Sequence, residues 1–96
     1  MFALLVTFDL RLNAPALRRV GIEQVLSSSS RAWWHHIEST WILLTDQNPD
    51  GLMTLLSPHL DQTDRLLITQ LQLGAQQQGW LPQEAWEWLD THLQAQ

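Results

Sequence analysis

A chain of 96 residues, 45% of them hydrophobic, is long enough for one domain with a single core and too short for two. It has no cysteine, which excludes disulfides and thiolate metal sites. Its net charge of −5 argues against a general electrostatic grip on nucleic acid, and no apolar run approaches the roughly 20 residues of a membrane span, so no membrane association is expected.

The opening stretch has the two-residue period of a strand. Phe2, Leu4, Val6, Phe8 and Leu10 alternate with Ala3, Leu5, Thr7, Asp9 and Arg11. Ala3 and Leu5 make the second face apolar as well, so this strand is expected in the middle of a sheet with something covering each side. Its far end delivers Asp9 to the face opposite the core. A lone carboxylate at the end of a central strand is the place in this chain where chemistry would sit. Met1 leads into the strand with no basic flank, so no secretory leader is expected and the location is read as cytoplasmic.

Asn13-Ala14-Pro15 reads as a helix start, with Asn13 as cap and Pro15 in the first turn, and the helix should run to about Leu26 or Ser28. Leu17, Val20, Gly21 and Val25 share a face, with Ile22 and Leu26 round the side. Gly21 in mid-helix is expected to permit close approach to the sheet. After the polar connector from Ser27 to Ser30 come two strands, Ala32–Ile37 and Thr40–Thr45, with Glu38-Ser39 as the turn. His35 and His36 are neighbours on a strand and point to opposite faces, so they cannot chelate one ion together.

Asn48-Pro49-Asp50 starts a second helix with a cap, a first-turn proline and an acid at the positive end of the dipole. Leu52, Met53, Leu55, Leu56, His59 and Leu60 fall on one broad face, and both Leu55 and Leu56 are expected in the core. Pro58 kinks or ends this helix near Ser57. Asp61 to Asp64 is a loop, and Arg65–Leu71 the last clear strand. Gly74 to Gly79 breaks the strand. Pro82 then opens a short helix whose face carries Trp86, Leu89 and Leu93, widened by Ala85 and Trp88.

Strand, helix, strand, strand, helix, strand is the ferredoxin-like α+β arrangement, βαββαβ, over residues 1–73. Residues 74–96 add a loop and a C-terminal helix, packed on the same domain or on a dimer partner. With strands in the order four, one, three, two, Asp9 should lie near Thr40, Asp64 and Arg65, and Asp46 at the opposite end. Both main helices cover the Phe2–Leu10 face. The Ala3, Leu5 and Thr7 face is thereby left apolar, and a homodimer through it is expected. The last helix is expected at an edge or against the partner, with Trp86 at the dimer contact.

Charge is uneven. Residues 1–45 set Arg11, Arg18, Arg19 and Arg31 against Asp9, Glu23 and Glu38, a net +1; residues 46–96 set Arg65 against Asp46, Asp50, Asp61, Asp64, Glu84, Glu87 and Asp90, a net −6. Every fixed cation is arginine, the better fork for phosphate. These five arginines are the nucleic-acid candidates; the competing reading is a set of solvated surface charges.

Thr7-Phe8-Asp9-Leu10, the hairpin from Trp33 to Trp41, the stretch from Leu60 to Leu67 and the ending from Gly79 to Trp86 together resemble the small SinR-like proteins. Through these the chain is similar to the VapD-like and CRISPR-associated small endoribonuclease superfamily. The resemblance implies a ferredoxin-like homodimer in nucleic-acid defence, with Asp9 at the position of the aspartate that supports a divalent metal at the dimer interface. The chain departs from the nuclease pattern in ending with a loop and helix where a strand usually crosses to the partner. On the enzymatic reading, two Asp9 carboxylates hold Mg²⁺, Thr7 and Asp64 orient its shell, and Arg11 and Arg65 hold the phosphates of RNA or DNA. On the plainer reading Asp9 caps the strand or pairs with Arg11 or Arg65. The alternative class is a protein-interaction module that uses the acidic C-terminal half and the six tryptophans.

Overall fold

The computed structural model describes residues 1–11 and 15–94. Its elements are β1 (Phe2–Asp9), α1 (Pro15–Ser28), β2 (Ala32–Ile37), β3 (Thr40–Thr45), α2 (Pro49–Leu56) with a 3-10 turn (Ser57–His59), β4 (Arg65–Gln70) and α3 (Gln83–His92). The strands form one antiparallel sheet in the order β2-β3-β1-β4. β1 is therefore a central strand, as its two apolar faces require. Asn13, the expected cap of the first helix, lies outside the described residues. Asn48 does cap α2: its side chain accepts the N–H of Gly51 at 2.7 Å.

The first face of the sheet carries the larger core. Leu4, Val6 and Phe8 of β1 pack with Trp41 and Leu43 of β3 against Ile22 and Leu26 of α1 and Leu52 and Leu56 of α2. The face of α1 differs from the one its apolar residues suggested. Ile22 and Leu26 are fully buried, while Leu17 and Val20 are exposed. The buried stripe begins at Arg18, whose guanidinium is held by Asp64, so an arginine occupies the position where a pattern search expects an apolar residue. Gly21 does serve close approach, but to the 3-10 turn rather than the sheet. A Cβ there would meet the His59 ring at 2.5 Å. In α2, Leu56 is buried and Leu55 is 41% exposed, so only one of the pair belongs to the core.

The second face has its own helix. Ala85, Leu89 and Leu93 pack on Ala3, Trp34 and Ile42, with Leu44, Leu71, Leu81, Trp86 and Trp88 around them. Trp34 and Ile42 are register partners across β2 and β3, and the Trp34 indole N–H donates to the Ala85 carbonyl at 3.2 Å. The chain reaches this position by a tight return after β4. Leu71 N–H donates to the Ala3 carbonyl at 2.7 Å, Gly74 turns at φ +78°, and its N–H donates to the Leu93 carbonyl at 2.8 Å. The expectation that α3 docks at an edge or on a partner is thus corrected: it packs on the sheet of its own chain, with Trp86 partly buried beside that contact. The helix covers the Ala3 part of its own sheet; Leu5 and Thr40 line a recess beside Gln76, Gln78 and Leu89, and beyond it the half-face of Thr7, Asp9 and Leu67 remains open. No helix among the described residues is long and apolar enough to cross a membrane.

Candidate functional site

The end of β1 opens onto that uncovered half-face. Asp9 is paired in register with Arg65 of β4, and Thr7 sits between Thr40 of β3 and Leu67 of β4. Thr7, Asp9 and Leu67 lie on one face because they alternate along paired strands. The Thr40 hydroxyl donates to the Thr7 hydroxyl at 3.4 Å. A shallow hollow of about 260 Å³ lies here, lined by Thr7, Phe8, Asp9, Arg65, Leu66 and Leu67. Thr7, Asp9 and Arg65 are thus brought together. Asp9 is largely exposed, and Arg11 Nε donates to its Oδ2 at 3.1 Å.

Asp64 adjoins this group without joining it. Its side chain is 2% exposed, and its oxygens receive the Arg18 guanidinium, the Asp61 N–H at 2.7 Å and the Arg11 N–H at 3.1 Å. The Arg18 bond holds its pKa down to about 2, opposed by desolvation and aided by the two backbone donors. The same bond pushes the Arg18 guanidinium further up. A carboxylate so committed anchors a loop; it has little left with which to orient a metal's water shell. Its link to Asp9 runs through Arg11, whose backbone meets Asp64 while its side chain meets Asp9.

The arginines divide into two groups. Arg11, Arg18, Arg19 and Arg65 stand at this end of the sheet, while Arg31 pairs with Asp46 at the other end, at 2.9 Å. Asp46 is where its place in the chain put it, and Arg31 stands beside it, apart from the other four arginines. Arg19 lies over the Phe8 ring at 5.0 Å and donates to the Glu38 carbonyl at 3.3 Å. Arg65 folds back on its own loop, donating to the carbonyls of Thr63 and Asp64. With Asp9, Glu38, Asp61 and Asp64 nearby, these four guanidiniums are balanced in charge, so the end of the sheet is a mixed rather than a basic surface. The sequence signal for the buried anchor was the Asp61-Gln62-Thr63-Asp64 loop itself. An aspartate that accepts its own loop's N–H groups is a turn former before it is a ligand.

His35 and His36 point to opposite faces, as neighbours on a strand should. His35 stacks on Trp41 and His36 packs edge-on against Trp34. Among the described residues, no three His, Asp or Glu side chains converge as a metal site would need. No protein-family model matches the chain, and a search of curated proteins found no match.

Proposed function

We propose that this chain is a ferredoxin-like homodimer acting in nucleic-acid defence, similar to the CRISPR-associated small endoribonucleases, with Asp9 of each copy at the two-fold axis. The observation that carries the reading is the position of Asp9. It is an exposed carboxylate at the end of a central strand, on the half of the sheet that α3 leaves uncovered. One chain supplies one such carboxylate, so the residues fit a hard oxygen-preferring ion only as a symmetric pair. When bound, Mg²⁺ would polarise the phosphodiester and acidify a water. Asp9 would hold it, with Thr7 beside it on the strand face. Arg11 and Arg65 would swing from their present oxygen partners to phosphate oxygens, which bind a guanidinium in the same forked geometry.

Purified protein incubated with single-stranded RNA and DNA, with Mg²⁺ or with chelator, tests this reading. Cleavage is expected with the metal, falling at least a hundredfold in Asp9→Ala. Cleavage that persists unchanged in Asp9→Ala would remove Asp9 from the chemistry.

Trp80 favours a second reading, that of a protein-interaction module. Its side chain is 100% exposed on the loop before α3, and an indole in water is an interface anchor without its partner. Stable co-purification of one protein, lost in Trp80→Ser, together with no cleavage, would favour this class.

A further inference from the structure

A second recess lies between α1 and the edge strand β2, on the helix-covered side of the sheet and away from Asp9. It is a groove of about 390 Å³, with Val20, Glu23, Gln24 and Ser27 along one wall and Trp33, His35 and Trp41 along the other. Trp33 is 47% exposed there and presents an aromatic platform. Trp41 is buried beneath, stacked on His35 at 4.4 Å and tilted against Trp33 at 5.0 Å, and its indole N–H is buried with no acceptor. An unmatched buried donor is costly, and a ligand carbonyl would relieve it once one of the two rings packed on Trp41 shifts. Glu23 supplies the opposite chemistry. Its carboxylate stands 3.9 Å from His35 Nδ1, and the His35 Nε2–H donates to the Glu38 carbonyl at 2.9 Å, which fixes the ring's orientation.

An aromatic platform, one unmatched donor and one carboxylate select among planar ligands by simple matching. A carboxylate can accept two parallel N–H bonds, and the indole N–H needs a carbonyl. Guanine presents a ring N–H and an amino group side by side, next to a carbonyl. Adenine has no carbonyl, and neither cytosine nor uracil offers two adjacent donors. The phosphate should lie away from Glu23. Arg19, one helical turn earlier on α1, provides for it, and its guanidinium already shares the Glu38 carbonyl with His35.

We infer that this groove is a guanine subsite, with the base stacked on Trp33 between Glu23 and Trp41 and its phosphate towards Arg19. The inference deepens the nucleic-acid reading and rests on it for the class of ligand. Titration of the ¹⁵N-labelled full chain with GMP, and separately with AMP, CMP and UMP, reads the site directly. GMP is expected to bind at least tenfold tighter than the other three and to move the Trp41 indole N–H resonance downfield. Glu23→Gln, an isosteric change at a partly exposed position, should abolish the tenfold preference. Trp33→Leu should weaken GMP at least tenfold, at a position exposed enough to leave the fold intact. Equal binding of all four nucleotides, no binding at millimolar GMP, or GMP binding that leaves the Trp41 resonance unmoved would overturn the inference. GMP binding unaffected by Asp9→Ala, in a protein that cleaves nothing, would uphold the subsite and remove the nuclease reading. Cleavage lost in Asp9→Ala with no guanine preference would do the reverse.

Discussion

The carboxylate of Asp64 closes on the guanidinium of Arg18 across 46 positions of sequence, joining the loop before β4 to the first turn of α1. The pair is buried on the aspartate side and partly open on the arginine side. Asp64 also takes the N–H groups of Asp61 and Arg11, so one side chain fixes the end of β1, the start of α1 and the entry to β4. It determines the surroundings of Asp9 without touching it.

This pair sets an acid limit on stability. The folded-state pKa of Asp64 is about 2, against about 3.9 for an unperturbed aspartate. A depressed pKa stabilises the fold above the unfolded value, and that contribution is lost as pH falls from about 4 towards 2. Urea midpoints measured between pH 5 and pH 2 should fall in the wild type. They should fall less steeply in Asp64→Asn, which lacks the titrating group. At pH 7 the same variant should be less stable by about 2–4 kcal/mol, because it replaces the buried carboxylate that receives the Arg18 guanidinium with a neutral amide. Equal stability of the two proteins at pH 7 would mean that the pair holds nothing together.

Leu55 and Leu56 separate the two sides of α2. Leu56→Ala should cost about 2–5 kcal/mol, since it empties a fully buried site among Leu4, Ile22 and Leu52. Leu55→Ala, at a solvent-facing position, should cost under about 1 kcal/mol. Chemical denaturation of the two variants under one set of conditions decides it, and similar losses would contradict the orientation of the helix.

The parts of the fold that could be read from sequence are those where a single period is unambiguous. Along β1 the residues Leu4, Val6 and Phe8 recur at every second position, Asn48-Pro49 marks a helix start by its own chemistry, and Pro58 ends that helix because it lacks a donor. The face of α1 was not legible, because its apolar residues spread round the helix. The choice between stripes depends on partners distant in sequence: Asp64 for Arg18, and His59 for Gly21. The position of α3 was hidden for a related reason. Ala85, Leu89 and Leu93 declare a stripe, but only the register that pairs Trp34 with Ile42 forms the apolar patch it covers. At the candidate site, periodicity and strand order placed Asp9 beside Arg65 and Thr7 beside Thr40. Asp64 looked like a neighbour available for chemistry because its burial and its arginine are tertiary facts.

Trp80 makes no fold-sustaining contribution that its exposure would allow. Trp80→Ser should leave the melting temperature and the denaturant midpoint within the range of ordinary surface changes, about 0.5 kcal/mol. Any loss of binding in this variant, whether to a second copy or to another protein, can then be assigned to the indole. A large drop in stability would show that the loop before α3 packs inward.

The two halves of the second sheet face should respond to the same substitution in opposite ways. Ala3 is buried beneath α3, so Ala3→Glu places an unpaired carboxylate in a closed apolar site and should cost several kcal/mol or prevent folding. Leu67 stands on the open half and is 58% exposed, so Leu67→Glu should leave the fold of the single chain nearly unchanged. If the proposed homodimer forms over Leu5, Thr7 and Leu67, the same Leu67→Glu change buries two like charges at the axis and dissociates it. Light scattering at micromolar concentration should then give twice the 11.1 kDa chain mass for the wild type and the single mass for the variant. Monomer in both would remove the symmetric Asp9 pair, and with it the metal-dependent reaction. The guanine groove, built within one chain, would be untouched.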